Sequence, residues 1–437
     1  MAGAGARALF VLLLAAAIIL RSAALFLFAV LVGLVALATW LGERYCLSGL
    51  LYSRRFGVRR AFWGEEVAVD SRVTNAKVLP VPWLHVLDEV PQGLVPPGVG
   101  RASPNAGRAC LEMFFALGWY ERVTRRHHLR CVVRGDHVLG PARLEAGDVF
   151  GFYSRTEDRR QLDRLVVYPR LVPVLTPRAP AARPQGDFLA RRFLIEDPGR
   201  VAGVRDYAPG DPLRLVHWKA TARSGRLQVR RAEPVAALQL ALFVNVDTHG
   251  RAWDGFSPNL LELVVMTAAG LARDAAGKGY EVGVYTNSCV PGTGRPVRAP
   301  AGRSPQQLRE ILTALARANP PGSRPVAETI LGEVRRLRWG ASAVLVTSYL
   351  APAAVAALDE LRRRGHPAGV VVVAPRGAAP GTRAAPGVLA AQAPPAASAE
   401  EMAAAIRRAR AAGLRVWWVR EGGDWREVAQ IRIEAEA

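Results

Sequence analysis

The sequence has little of the chemistry that marks metal sites. It contains four cysteines and seven histidines among 437 residues. The cysteines form no Cys-x-x-Cys pair and have no histidine ladder beside them; they are Cys46, Cys110, Cys131 and Cys289. Such spacing is typical of ordinary buried or reduced thiols in a cytosolic compartment.

Catalytic motifs are missing as well. The sequence has no Gly-x-x-x-x-Gly-Lys-Ser/Thr loop, no Gly-x-Ser-x-Gly turn and no His-Glu-x-x-His pair. The segment Ala276–Gly279 has the glycines and the lysine of a phosphate loop but lacks its spacing and its hydroxyl. We therefore predict that the protein is not an enzyme and that it has no cofactor.

Lysine is scarce although the chain is strongly basic. The net charge is +21, and among 58 basic residues only Lys77, Lys219 and Lys278 are not arginine. The arginines are spread along the chain, and no module with interleaved aromatics for reading nucleic acid is present. The charge therefore predicts contact with an anionic membrane surface, and no nucleic acid is expected as a partner.

Two long apolar runs occupy the N-terminus. The run Ala23–Leu41 is long enough to span a bilayer, whereas Ala8–Leu20 reaches that length only with Ala2–Ala6. The first run could therefore be a signal-peptide core. Because a second run follows after only Arg21 and Ser22, we favour a transmembrane helical hairpin over residues 1–43.

Charge around these runs predicts their orientation. One arginine lies between them, and five follow the second run: Arg44, Arg54, Arg55, Arg59 and Arg60. The positive-inside rule then places both ends in the cytoplasm. We expect a multi-pass protein of the cell membrane with a basic juxtamembrane segment at 44–61, the bilayer as a partner and most of the chain in the cytoplasm. Trp40, Tyr45 and Tyr52 lie where interfacial aromatics belong.

The soluble part predicts two folded domains. Over residues 62–176, segments such as Glu66–Val73 and Arg122–Val133 alternate with period two, which predicts a small antiparallel β-sandwich. Residues 177–235 contain a Pro/Arg-rich linker and a distinctive segment. From 236 to 437, apolar strands such as Leu238–Val246 alternate with helices such as Leu260–Arg273, which predicts a doubly wound α/β domain.

The segment Val204–Arg223 combines opposite charges, a Pro-Gly turn and a His-Trp-Lys triplet. Asp211 suits a helix N-cap, Pro212 the first helical position and Gly225 the left-handed C-terminal cap. The sequence therefore predicts a short helix between Asp211 and Gly225. On it Arg214 and Trp218 are four residues apart, close enough to stack.

Two roles remain open for this helix. It could be a structural clasp, with Trp218 buried between the sandwich and the α/β domain, or it could be a partner-docking surface. An enzyme site is the alternative to both, with His217 as the base and Lys219 or Arg223 holding an anion.

This segment resembles the signature of the bacterial "domain of unknown function 58" family. The matching residues are Arg205, Asp206, Tyr207, Gly210, Asp211, Arg214, His217, Trp218, Lys219, Ala222 and Arg223. The resemblance implies an association with MoxR-type AAA+ ATPases and a C-terminal domain like that of von Willebrand factor A.

Such domains hold a divalent cation through an Asp-x-Ser-x-Ser loop, and here only Asp247 remains. His249 and Arg251 replace the two serines. The positive charge of Arg251 opposes a metal cation, which needs oxygen ligands at this place. We therefore predict no metal, with a vestigial site at Asp247. The combined expectation is a membrane-anchored, non-enzymatic scaffold or adaptor that works with a MoxR-type ATPase in the assembly or maturation of other proteins.

Overall fold

The computed structural model describes most of the chain in two compact units. The described residues are 2–20, 22–95, 101–148, 153–175, 194–207, 216–236, 239–250, 256–375, 396–421 and 424–435. The units are Met1–Arg170 and Leu171–Ala437. The predicted linker over 177–184 lies outside the described residues.

The first unit begins with two apolar helices, α1 (Ala2–Ile19) and α2 (Ala23–Tyr45). They are in contact, because a Cβ at Gly33 would lie 2.5 Å from the ring of Phe10. By length and composition, α2 could span a membrane, and it is the one such helix among the described residues. The apolar stretch of α1, Leu9–Ile19, is shorter. The multi-pass prediction is therefore not supported.

Three β-sheets form the rest of the described first unit. Its strands are β1 (Leu50–Phe56), β2 (Arg60–Phe62), β3 (Glu66–Asn75), β4 (Val81–Pro91), β5 (Arg101–Ala102), β6 (Arg108–Leu117), β7 (Arg122–Arg130), β8 (Gly135–Leu139), β9 (Ala142–Gly147), β10 (Ser154–Arg159) and β11 (Asp163–Tyr168). The strand orders are β1-β3-β7, β10-β9-β4-β6-β5 and β2-β11-β8. β1 and the start of β2 occupy the segment 44–61, for which the sequence analysis predicted no strand.

Alternating apolar residues explain why these segments are strands. In β3, Val67, Val69 and Val73 are buried while the intervening side chains are more exposed. One core cluster contains Val73 of β3 together with Leu84 of β4 and other residues of the five-stranded sheet. The first two sheets therefore share a hydrophobic core. The strands predicted at Glu66–Val73 and Arg122–Val133 are confirmed as β3 and β7.

The second unit is an α/β domain. Its strands are β12 (Val174–Leu175), β13 (Leu194–Asp206), β14 (Gln228–Ala236), β15 (Gln239–Val244), β16 (Glu281–Cys289), β17 (Pro296–Gly302), β18 (Ser342–Thr347), β19 (Ala368–Pro375), β20 (Arg415–Glu421) and β21 (Ile431–Ala435). Its helices are α3 (Trp218–Ser224), α4 (Pro258–Gly277), α5 (Gln307–Arg317), α6 (Val326–Glu333), α7 (Pro352–Arg363) and α8 (Ala396–Ala411). The predicted change from β-structure to an α/β pattern is confirmed.

Eight of these strands form one sheet, in the order β12-β21-β20-β19-β18-β15-β16-β17. The five strands from β20 to β16 pair in parallel. β17 pairs antiparallel to β16 and β21 pairs antiparallel to β20, while β12 pairs in parallel with β21. The central strands β15 and β18 are buried along their whole length, as near-continuous apolar runs predict for a parallel sheet. β13 and β14 form a separate two-stranded ribbon.

Candidate functional site

The chain order of the parallel sheet reverses beside β15. From β15 the chain continues to β16 on one side and then returns to β18 on the other side. In open α/β sheets, ligands bind outside the carboxyl ends of the strands at such a switch point. The residues that follow β15 and β18, and the last residues of β16, are therefore the first place to search for a site.

A network of buried polar side chains occupies this edge. Asn245, just after β15, donates from Nδ2 to Thr347 Oγ1 of β18 at 3.1 Å. Asn287 of β16 donates from Nδ2 to Asn245 Oδ1 at 3.0 Å and to Asp247 Oδ2 at 2.7 Å, and its own Oδ1 accepts the Val246 N–H at 2.9 Å. Asn245, Asn287 and Thr347 are all buried, so the network joins the ends of three strands.

Asp247 lies at the outer side of this network and accepts N–H groups on both carboxylate oxygens. Besides Asn287 at Oδ2, the backbone N–H of Gly322 donates to Oδ1 at 2.8 Å. A Cβ at Gly322 would lie 2.5 Å from Asp247 Oδ2, so a residue without a side chain is needed here. The carboxylate therefore receives directional donors from β16 and from the connection between α5 and α6, and it holds that connection against the end of β15.

These donors do not fit a divalent cation at Asp247. Magnesium and calcium require oxygen ligands, whereas the groups that meet this carboxylate are N–H donors. Among the described residues, no group of three or more His, Cys, Asp or Glu side chains is arranged to hold a metal ion. His249 has a buried Nδ1 with no hydrogen-bond partner among the described residues, and Arg251 lies outside them.

The signature segment lies in the connection between β13 and β14. Asp206 ends β13, is exposed, and accepts a hydrogen bond from Gln228 Nε2 at the start of β14. The Tyr207 N–H donates to Leu227 O at 2.9 Å, which continues the ribbon. The side chain of Arg205 and the residues Gly210, Asp211, Pro212 and Arg214 lie outside the description, so the predicted Arg214–Trp218 stacking is not described either.

The start of the predicted helix is wrong. Val216 forms a β-bridge with Val229, and the His217 N–H donates to Gln228 O at 2.7 Å, so these two residues continue the ribbon. The helix α3 begins only at Trp218. His217 is its N-cap, because Nδ1 accepts the Ala220 N–H at 3.1 Å. The predicted C-terminal cap is confirmed: Gly225 has a φ of 67° in the left-handed region.

Trp218 is exposed within the second unit. Its exposed fraction is 67%, whereas Thr221 of the same helix contacts β14, where its Oγ1 accepts the Gln228 N–H at 3.0 Å. Lys219, Ala222 and Arg223 are also exposed. We call Trp218, Lys219, Ala222 and Arg223 the signature surface. Four of the predicted residues therefore lie together on one short, exposed helix.

His217 is poorly arranged to act as a base. A neutral imidazole has one ring nitrogen with a lone pair and one with a hydrogen. Since Nδ1 accepts the Ala220 N–H, the lone pair is used inside the helix cap and the hydrogen is on Nε2. A general base needs that lone pair free for the substrate proton.

The asparagine network was not predicted from the sequence. Its signal was present, because Asn245, Asn287 and Thr347 each stand at or near the end of an apolar strand. The prediction at this edge rested on the Asp-x-Ser-x-Ser positions alone. The amides that bind Asp247 come from other strands and loops, and one sequence does not reveal such pairings.

Comparison with known proteins supports the family resemblance. Residues 203–410 match the family model "Protein of unknown function DUF58". A 241-residue stretch is 26% identical to the uncharacterized protein YeaD of Bacillus subtilis (strain 168). This stretch covers 55% of the present chain and 56% of YeaD, so the chain spans about half the length of this curated relative.

Solved structures give no further help. Similar chains include Spo0M, a sporulation control protein from Bacillus subtilis, with a TM-score of 0.18 at 12% identity over 28% of this chain and 50% of that one. A cohesin module from a Clostridium perfringens family 33 glycoside hydrolase has a TM-score of 0.20 at 13% identity over 27% of this chain and 96% of that one. At these scores, no conclusion about the chain rests on either similarity.

Proposed function

We propose that the protein is a membrane-anchored, non-enzymatic scaffold or adaptor that works with a MoxR-type AAA+ ATPase in the assembly or maturation of other proteins. The observation that supports this most is the exposure of the signature surface. Within the motif that carries the family resemblance, helix α3 exposes the indole of Trp218 and the cationic side chains of Lys219 and Arg223 to solvent. We therefore favour partner docking over the clasp.

The composition of this surface suits protein binding. Tryptophan and arginine are the residues most enriched among those that dominate interface energy, because they bury a large area and make directional contacts. Trp218 is held in place by a helix with both ends capped, by His217 and by Gly225. Because the backbone that carries the indole is already ordered, it loses little conformational entropy on binding.

Two observations speak against the enzyme alternative at His217 and Lys219. The lone pair of His217 belongs to the helix cap, and Lys219 is exposed on a convex helix. Asp247, at the switch point of the sheet, is bound on both oxygens by N–H donors. The contacts at both places therefore suit a structural or partner-binding role better than a catalytic one.

The architecture behind this proposal has three parts. We assign the second unit to a von Willebrand factor A-like domain, which the strand order around β15 and the antiparallel edge strand β17 support. We assign the sheets of the first unit to an antiparallel sandwich, which the shared core supports. The helix α2 is the membrane anchor, with α1 packed against it.

Co-purification tests the proposal. The full chain, extracted from membranes in detergent, is passed over an immobilised MoxR-type ATPase from the same organism without nucleotide, with ADP and with a non-hydrolysable ATP analogue. We expect retention in at least one state. Retention in none of them, or release of the chain from membranes by alkaline carbonate without detergent, contradicts the proposal.

A further inference from the structure

The start of β1 and two strand connections lie at one end of the first unit. Leu50, the first residue of β1, pairs with Asn75, the last of β3, and Thr74 pairs with Arg122, the first of β7. In the neighbouring sheet, Val81 at the start of β4 pairs with Leu117 at the end of β6. The β3–β4 and β6–β7 connections therefore lie at the same end as the last turn of α2.

Lys77, in the β3–β4 connection, binds that last turn. Its Nζ donates to the carbonyl oxygens of Tyr45, Cys46 and Ser48 at 2.6, 2.5 and 2.7 Å. The last carbonyls of a helix have no partners within the helix, and the helix dipole favours a cation there. The one lysine of the first unit thus holds the end of α2 to the sheets.

Apolar packing fixes the same junction. Cys46 and Leu47, which follow α2, are buried in the core that the two sheets share. The ring of Tyr153 lies directly against Gly42 in the last part of α2, where a side chain would collide with it. With contacts from Lys77, Tyr153 and the core, α2 and the β-sheets form one continuous body. The depth of α2 in a bilayer therefore sets the height of the sheets above it.

An exposed aromatic pair lies beside this junction. Trp119 and Tyr120, in the β6–β7 turn, are 72% and 68% exposed. The Tyr120 N–H donates to Lys77 O at 3.1 Å, so the turn is bound directly to the residue that holds α2. Tyr120 has a φ of 52°, which is unusual for a residue with a side chain, and the buried Asn75 supports the turn through Gly118 O at 2.7 Å.

We infer that the Trp119–Tyr120 turn inserts into the headgroup region of the bilayer and fixes the β-sheets against the membrane surface. The inference rests on the proposed role of α2 as an anchor. At 1.5 Å per residue, the 23 residues of α2 extend over roughly 35 Å, slightly more than a hydrocarbon core of about 30 Å. The end of α2, and the turn beside it, then lie at headgroup depth.

The chemistry of the neighbouring residues agrees with an anionic lipid surface. Tryptophan and tyrosine concentrate at this depth, because their rings are apolar and their N–H and O–H groups remain hydrated. Arg44 lies 6.0 Å from the ring centroids of Trp40 and Tyr45 at the same level, and Arg122 is exposed next to the turn. The carboxylate of Glu121 accepts the Gly118 N–H at 2.6 Å and so stabilises the turn itself.

Quenching by brominated lipid tests the insertion. The full chain is reconstituted into vesicles of phosphatidylcholine and phosphatidylglycerol whose acyl chains carry bromine near the headgroup, and tryptophan emission is compared with that in unbrominated vesicles. Three variants are measured: Trp119→Phe, Trp40→Phe in α2, and Trp339→Phe. Trp339 is a matched control, because it is 62% exposed but belongs to the second unit. Circular dichroism checks that all three are folded.

We expect the emission lost in Trp119→Phe and in Trp40→Phe to be emission that brominated lipid quenches in the parent. Each loss should be roughly a tenth of the total, for ten tryptophans of equal yield. The emission lost in Trp339→Phe should be emission that brominated lipid does not quench. If Trp40 is quenched and Trp119 is not, the inference is wrong although the anchor stands. If neither is quenched, the anchor is wrong as well. Quenching of Trp119 by aqueous iodide to the same extent as Trp339 would also overturn the inference and would favour a protein partner at this turn.

Discussion

Arg54 Nη1 lies 3.1 Å from Asp88 Oδ1, with both side chains almost completely shielded from solvent. Arg54 belongs to β1 and Asp88 to β4, so the pair crosses between two sheets. The Tyr52 hydroxyl donates to the second oxygen of Asp88 at 2.7 Å, and Arg54 Nε lies 3.3 Å from Asp163 in the third sheet. One buried guanidinium therefore joins all three sheets of the first unit.

Removing Asp88 should strongly destabilise the first unit. Asp88→Ala leaves the Arg54 charge buried with one partner fewer, and breaking such pairs costs about 3–5 kcal/mol. Chemical unfolding in detergent, followed by circular dichroism, measures the loss. The control is Asp70→Ala, which breaks the exposed Arg126–Asp70 pair, 2.7 Å long, and should cost about 1 kcal/mol or less. Equal losses in the two variants would show that the buried network has no special role.

Asp88 also predicts a pH dependence. Burial raises the pKa of Asp88 to about 6 from its ordinary value of 3.8, although Arg54 opposes the shift. A folded pKa above the unfolded one means that the folded state binds more protons between these values. This contribution to the unfolding free energy is therefore complete below pH 3.8 and is lost as the pH rises through about 6.

The matched variant for this measurement is Asp88→Asn, which keeps the shape and cannot titrate. Its unfolding free energy should lack the decrease that the parent shows between about pH 4 and pH 6. Parallel pH profiles for parent and variant would mean that Asp88 titrates at its ordinary pKa.

The stability losses of two substitutions at α3 distinguish the clasp from partner docking. The clasp requires Trp218→Ala to cost more than the loss of the N-cap, and we expect the opposite order. His217→Ala removes the N-cap acceptor of the Ala220 N–H and should cost about 1 kcal/mol. Trp218→Ala removes an exposed ring and should change stability by about 0.5 kcal/mol or less. Thermal unfolding of both variants gives the answer. A loss of several kcal/mol in Trp218→Ala alone would restore the clasp.

Magnesium should not bind at Asp247. Both oxygens of its carboxylate already accept N–H groups, from Asn287 and from Gly322, and these neighbours present hydrogen-bond donors where a cation needs further oxygen ligands. Titration calorimetry of the full chain in detergent should show no stoichiometric heat at millimolar magnesium. Binding that disappears in Asp247→Ala would refute the prediction of a vestigial site.

The structure of a segment could be predicted from the sequence where a local pattern alone determines it. Apolar runs such as the one around β15 predict strands without knowledge of their neighbours, and Gly225 marks a helix end by its own backbone. β1 was missed because its arginines suggest a solvated segment. Arg54 can be buried because Asp88, 34 residues later, and Asp163 in the third sheet pair with it.

The predicted start of the helix before Gly225 is wrong for a related reason. Asp211 and Pro212 are good local signals for a helix start, but Val216 and His217 pair with β14 instead. Pairing between segments that are distant in sequence overrides the local preference. The network around Asp247 depends on tertiary pairing in the same way, since Asn287 reaches it from another strand.

The most direct measurement is the affinity of a MoxR-type ATPase for the full chain in lipid nanodiscs. Trp218→Ala is compared with the parent and with Trp339→Ala, in which a tryptophan of similar exposure, 62% against 67%, is removed from a different place in the same unit. The account predicts measurable binding by the parent, a loss of about tenfold or more in Trp218→Ala and no change in Trp339→Ala. If the parent does not bind in any nucleotide state, the proposed function is wrong. If the parent binds and both variants bind like it, the signature surface is not the docking site.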